Sequence, residues 1–325
     1  MPVIKNGNAF YGVTATVYYP AGNATYTEEK MQNYSGNLTW VPSGAGFTGT
    51  NYLNISSDLK LGFYVNKAAE VEDLKVVFTM GSYTKEVTDY TVDASDSSKV
   101  CFVFDGISPQ FIGTPVLAEV YADGKKVDAF SRSILDYLGA IYESNPEYQA
   151  VIADLVDYGI AANAYCAAKG YVTGDAFTRP GWLTAGPSTA VPAETDRFTK
   201  TAVAEGYDAN AYNFTSANVI FDVTNTLTIS FTMPEGASFC VNGNPVSVGA
   251  NLVKNGDTYT YYCRGLTAKQ YLSSFTFAIK DGGNTVRTLT YGIGSYAYSK
   301  YIGADGAMKN LALATYRLGA SAAAA

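Results

Sequence analysis

A chain of 325 residues is long enough for two domains, and 47% hydrophobic residues with mean hydropathy near zero mark a globular protein. A net charge of −7, a pI near 4.7 and no basic run longer than Lys125-Lys126 argue against a nucleic-acid partner, and anionic wall or membrane surfaces would repel the chain. Histidine is absent, which removes Ser-His-Asp and Cys-His catalysis and every histidine metal site. Charged residues are only 16%, and polarity comes instead from Tyr, Thr, Ser, Asn and Gly, a balance suited to the outside of a cell or particle.

Residues 1–50 open with one strand, GVTATVYYP, and continue turn-rich; this segment is assigned a docking or oligomerising role. MPVIKNGNAFYG lacks the apolar centre of a secretory signal. Either a signal has been removed, or the protein leaves the cell another way, as a virion does on lysis. No run approaches the ~20 apolar residues of a membrane helix, so membrane insertion is not expected.

From 51 to 172 the runs LKLGFYV, LKVVFTM, YTKEVTDYTV, KVCFVF and VLAEVYA alternate with period two and are rich in β-branched and aromatic residues, which predicts a β-sandwich. Two helices follow. In the first, at 131–143, Ile134, Leu135, Leu138 and Ile141 share a face. The second is capped by Asn145 with Pro146 at its first position, is predicted to bury Tyr148, Val151, Ile152 and Leu155, and stops at Gly170. Residues 173–216 are the expected linker or packing strap; three prolines fall in its first part.

Residues 217–325 repeat the first module. Gly106 matches Gly265, Asp123-Gly124 matches Asp281-Gly282, Ile134 and Tyr137 match Ile293 and Tyr296, and Gly159 matches Gly319. The fold class expected is therefore mainly β with α: tandem Ig-like β-sandwich modules, each followed by an αα-hairpin.

FSRSILDYLGAIY and DLVDYGIAANAY in the first copy, with the more degenerate LTYGIGSYAYSKY and ATYRLGASAAAA in the second, carry a resemblance. The chain resembles a module repeated in large surface proteins of anaerobic gut Firmicutes, over roughly residues 52–170 and 217–325. Leu318 stands where that module and the first copy have Tyr, and the polyalanine end also departs from it. The resemblance implies a non-catalytic extracellular building block and brings no catalytic residues with it.

Gly292-x-Gly294-x-x-Ala297 has the form of a dinucleotide fingerprint. The first copy places Ser133 and Leu135 at the two glycines, no βαβ unit follows, and the stretch reads as a sandwich-to-helix hinge; no cofactor is expected. Cys240 and Cys263 lie on neighbouring strands and are either bridged or buried free thiols, while Cys101 and Cys166 complete the four cysteines. Asp89, Asp93 and Asp96 form the densest acidic group, a solvated loop or a weak calcium site, and no metal centre is assigned. A carboxylate pair of the glycosidase type is the enzymatic reading least favoured by scattered acids. Trp40, Tyr52, Tyr64 and Trp182 are the candidate glycan or partner contacts, against the alternative that they are core.

These readings converge on a structural or display protein, either a phage virion component or a bacterial surface adhesin, with a carbohydrate-binding module as the second hypothesis. The partners expected are further copies, other virion or surface proteins, and a host-surface glycan.

Overall fold

The computed structural model describes residues 4–20, 25–55, 59–68, 71–221, 223 and 225–325. The chain divides into two compact units, Met1–Asn54 with Lys60–Asp105 and Thr114–Tyr137, and Ile55–Leu59 with Gly106–Gly113 and Leu138–Ala325. Both are built mainly of antiparallel strands.

The strands of the first unit are β1 (Thr14–Pro20), β2 (Asn37–Ser43), β3 (Ala45–Ile55), β4 (Leu59–Lys67), β5 (Leu74–Met80), β6 (Tyr83–Val87), β7 (Thr91–Val92), β8 (Lys99–Ile107), β9 (Val116–Ala122) and β10 (Lys125–Arg132). β1 and β2 make a separate parallel pair. The others form two sheets, ordered β3-β4-β8-β7 and β10-β9-β5-β6. Alternation decides which side faces in: Leu74, Val76, Phe78 and Met80 of β5 are buried, as are Val116, Ala118 and Val120 of β9. Phe78 meets Phe63 of β4 at 5.3 Å and Phe104 of β8 at 5.1 Å between ring centres, so the two sheets share one aromatic core.

YTKEVTDYTV, expected as one strand, is two. Tyr83–Val87 pairs with β5, whereas Thr91–Val92 pairs with β8 in the other sheet, so the chain changes sheets between them. Residue 50 lies within β3, an edge strand of the sandwich.

The second unit contains β11 (Thr199–Lys200), β12 (Asn213–Ile220), β13 (Thr226–Thr232), β14 (Ser238–Val241), β15 (Asn244–Val246), β16 (Leu252–Asn255), β17 (Thr258–Cys263), β18 (Phe275–Asp281) and β19 (Asn284–Tyr291). Its sheets are β12-β13-β17-β16 and β11-β19-β18-β14-β15. Phe231 stacks on Phe239 at 4.3 Å between them. With β1, β2 and β11 set aside, strand order is the same in both units. In each, the first, second, sixth and fifth strands form one sheet, and the eighth, seventh, third and fourth form the other. That is the immunoglobulin-type order, A-B-E-D facing G-F-C, with one additional strand beside C.

Tight turns follow from local chemistry. Asp123-Gly124 and Asn242-Gly243 hold both residues at positive φ, the geometry that two-residue hairpins require. In the β18–β19 hairpin the turn residues are Gly282-Gly283. The structural equivalent of Asp123 is thus Gly282, one position beyond the pairing expected from sequence.

Helix α1 (Ile134–Ser144) begins at Ser133, whose Oγ accepts from the Asp136 N–H at 3.2 Å while Asp136 Oδ2 accepts from the Ser133 N–H at 2.8 Å. This reciprocal capping box places the start of α1 three residues later than expected. Ile134, Tyr137, Leu138 and Tyr142 are buried, and Leu135 and Ile141 are half-buried. A 3₁₀ turn at Pro146–Tyr148 precedes α2 (Gln149–Lys169), which ends at left-handed Gly170 as expected. Tyr148 is exposed and Val151 half-buried, contrary to expectation, while Ile152 and Leu155 are buried as expected. Ala153, Val156, Tyr158, Gly159, Ala162 and Asn163 are buried as well, so α2 is covered over more than one face. It packs on α4 (Gly306–Ala324), which also contacts α3 (Ile293–Gly303).

Candidate functional site

The glycine-rich junction is a steric feature. A Cβ on Gly292 would lie 2.3 Å from the Ser273 carbonyl oxygen, whereas one on Gly294 would find its nearest neighbour at an ordinary 3.7 Å. The Gly294 N–H, which a pyrophosphate would need, donates to the Tyr271 carbonyl at 2.9 Å. Residues 291–297 are all buried. The helix N-terminus is filled by the protein's own backbone.

Three of the predicted aromatic contacts lie in the first unit. Tyr52 of β3 and Tyr64 of β4 meet edge-on at 6.2 Å, with the Tyr52 ring lying over Gly62, where a Cβ would come within 2.0 Å of it. Burial beside Cys101 raises the Tyr52 pKa. Trp40 stands half-buried on β2 and donates through Nε1 to the Gln32 carbonyl at 3.1 Å. Trp182, in the second unit, packs on Tyr142 at 5.4 Å and over Gly139, where an added Cβ would come within 3.2 Å of its ring. Of the four, only Tyr52 and Tyr64 are brought together, and Trp182 fastens the strap to α1.

The acidic loop satisfies itself. Asp93 Oδ1 accepts from the Ser95 N–H and Oγ–H and from the Asp96 N–H, Asp96 accepts from Ser98, and Lys99 pairs with Asp96 at 3.1 Å. These bonds hold both carboxyls below their usual range. Among the described residues no group of three or more Cys, Asp or Glu has metal-ligand geometry. All four cysteines are free, so Cys240 and Cys263 are not bridged.

The second unit also gathers aromatic side chains around an opening, none of them among the four predicted contacts. Tyr158, Ala162 and Tyr165 recur along one side of α2 at helical spacing and line a cleft of about 220 Å³, together with Tyr171, Phe221 of the chain after β12, and Tyr296 of α3. Phe221 and Tyr296 meet edge-on at 5.7 Å. Burial pushes the Tyr296 hydroxyl up to about 12 and raises that of Tyr165, so both remain protonated donors at neutral pH.

Tyr171 is held at its position by the helix end. The Gly170 N–H donates to the Ala167 carbonyl and the Tyr171 N–H to the Cys166 carbonyl at 2.9 Å, a Schellman pair. Deeper in the unit, Asn225 donates to the hydroxyls of Tyr158 and Tyr271 at 2.6 and 2.7 Å. Asn163 holds the carbonyls of Gln110 and Gly174, and Asp154 accepts from the Ser188 N–H at 2.9 Å, so α2 carries the strap on polar pegs. The signal available in the sequence was the Tyr-x₆-Tyr spacing of α2 followed by Gly170-Tyr171.

No protein-family profile matches the chain, and no curated protein matches it. Among solved structures, a tandem from titin is 10% identical, with 78% of this chain and 66% of that one covered and a TM-score of 0.20. An ectodomain fragment of ICAM-5 gives 9%, 79% and 55%, with a TM-score of 0.18. A Ca²⁺-stabilized adhesin with which an Antarctic bacterium reaches out and binds ice gives 13%, 79% and 51%, with a TM-score of 0.17. The chain spans between about half and two thirds of the length of these structures. Scores of this size make none of them superposable on the whole chain.

Proposed function

We propose that the chain is a non-catalytic structural or adhesion protein of an extracellular surface, made of two copies of one sandwich-plus-helical-hairpin module. The observation that carries this reading is the common strand order of the two units, joined in the second unit by two long-helix glycines seated beside 3₁₀ segments, Gly159 at Pro109–Phe111 and Gly319 at Ala268–Gln270. Ile112 lies 2.9 Å from a Cβ built on Gly159, and Tyr271 lies at the same distance from one built on Gly319; the sequence repeat pairs the two glycines. Duplicated sandwiches are suited to spacing and display. The absence of histidine and the low charged fraction support a neutral contact surface better than acid–base catalysis.

The finer reading is a virion component of a phage, acting in capsid decoration, a fibre or the tail, with the bacterial cell surface as the alternative home. Its partners are further copies or neighbouring surface proteins. Immunogold electron microscopy with antibody against the purified chain tests both. Label in a regular array on released particles supports the virion, and label on the cell envelope supports the adhesin. Label confined to the cell interior, with none on either surface, overturns the reading.

A further inference from the structure

We infer that the tyrosine-lined cleft of the second unit is a binding site for a neutral pyranose ring. The inference rests on the surface reading only for where such a sugar would be met.

None of the residues that line the cleft is charged, and the ammonium groups of Lys169 and Lys300 stand over the Tyr165 and Tyr296 rings, 5.9 and 5.3 Å from their centres, so the lining itself favours a neutral ligand. What the lining offers is aromatic carbon; the Tyr158 hydroxyl is held by Asn225 and the Tyr296 hydroxyl donates to Met308 Sδ at 3.8 Å, so the hydrogen-bonding groups offered to a ligand are the phenols of Tyr165 and Tyr171 and the Gln110 amide. A pyranose is complementary to that surface, because its C–H face packs on a ring while its equatorial hydroxyls exchange hydrogen bonds with Tyr and with Gln110. The size agrees. With water taking about 30 Å³ in the liquid, a cleft of about 220 Å³ holds on the order of seven waters, room for one sugar ring. It falls below the ~300–1,000 Å³ of sites for drug-sized ligands.

The arrangement is preorganised. Tyr158 and Tyr296 are buried, and Tyr165 is fixed by its place on α2. Tyr171 is 61% exposed, yet its backbone is locked by the left-handed Gly170 cap. An aromatic ring held in the open by a rigid backbone loses little conformational freedom on contact with a ligand. Cys166 lies in the same lining and is half-buried, which supplies a reporter at the site itself.

The test uses the full chain with methyl glycosides of glucose, galactose, mannose and N-acetylglucosamine as probes. Saturation-transfer NMR measures binding, and peptide mass spectrometry follows Cys166 modification by N-ethylmaleimide. At least one glycoside should show saturable transfer and slow Cys166 modification. Tyr171→Ala should weaken that binding by about threefold or more, as loss of one aromatic contact implies. Tyr171→Trp should retain it. A melting temperature unchanged in both variants shows that the fold is intact.

The inference is overturned if no glycoside shows saturable transfer, if the binding leaves Cys166 unprotected, or if Tyr171→Ala binds as well as the parent. Surface labelling together with no glycoside binding sinks the cleft and leaves the display reading standing. Interior labelling with a protected Cys166 does the reverse.

Discussion

Asp128 Oδ2 accepts a hydrogen bond of 2.8 Å from the backbone N–H of Phe47, linking β10 to β3, the edge strands of the two sheets of the first sandwich. The carboxyl also accepts from the Ala129 N–H, and it sits at a register shift in β10 between Lys126 and Asp128. The bulge turns the side chain toward the neighbouring sheet and so closes one side of the sandwich. Across the gap Phe47 and Phe130 meet at 5.9 Å, which keeps the link next to apolar surface.

Removing that acceptor leaves the Phe47 N–H beside a ring cluster with nothing to bond. Asp128→Ala should therefore destabilise the protein by about 1–3 kcal/mol, the usual cost of an orphaned buried donor. Asp128→Asn keeps an oxygen in place and should lose much less. Urea unfolding of the three proteins decides the matter, and equal midpoints for the Ala and Asn variants would count against the clip.

Gly292 and Gly294 should behave oppositely. Gly292 has φ −159, which any residue adopts, so the only obstacle to a side chain is the Ser273 carbonyl at 2.3 Å. Backbone cannot rotate aside as a side-chain tip can, and Gly292→Ala should cost about 1–3 kcal/mol or more. Gly294 lies inside α3 with ordinary clearance of 3.7 Å, so Gly294→Ala should be neutral or gain up to about 1 kcal/mol in helix propensity. A phosphate-binding loop would need both glycines equally. Thermal melts of the single variants distinguish the two accounts, and comparable losses would contradict the packing explanation.

These contrasts show what sequence could and could not convey. The alternation of LKVVFTM and VLAEVYA reports which side of β5 and β9 is buried, because a strand has only two faces. The cap at Gly170 was equally legible, since few residues adopt its left-handed backbone at low cost. The split of YTKEVTDYTV was not, because pairing partners are remote in sequence and both halves have the same local pattern. Contact aromatics were sought on Trp40, Tyr52, Tyr64 and Trp182, yet Trp182 packs over Gly139 and the aromatic cleft is built largely from tyrosines of α2 and α3 outside that set. Helical spacing reveals a shared face and does not say whether that face meets protein or an opening.

The paired glycines of α2 and α4 give a graded test. A Cβ on Gly159 would meet Ile112 Cδ1 at 2.9 Å and Phe177 Cζ and the Pro109 carbonyl oxygen at 3.1 Å, so that two of the three contacts are the far ends of side chains. One on Gly319 would meet Tyr271 Cβ at 2.9 Å and Leu272 Cγ at 3.1 Å, atoms close to the backbone. Overpacking of about 1–3 kcal/mol is offset in each helix by up to about 1 kcal/mol of alanine propensity. Gly159→Ala should come out near neutral and Gly319→Ala clearly destabilising. The reverse order in chemical denaturation would show that the helices are seated differently.

Asp154 supplies a pH signature. It is fully buried on α2, and one carboxylate oxygen accepts from the Ser188 N–H while the other has no hydrogen-bond partner. Burial raises its pKa and Asp157 on the same helix adds to the rise, against the opposing effects of the Ser188 N–H, Ser321 and Arg317 from α4. Because the folded pKa lies above the unfolded value near ~3.9, the folded state holds the proton more tightly. Stability is then full below the unfolded pKa and declines as pH rises through the folded pKa. Asp154→Asn retains an oxygen for Ser188 and does not ionise. Its melting temperature relative to the parent should rise as pH increases from the unfolded pKa through the folded one and level off above it, and a difference that does not change with pH would show that Asp154 is ionised as easily in the folded chain as in the unfolded one.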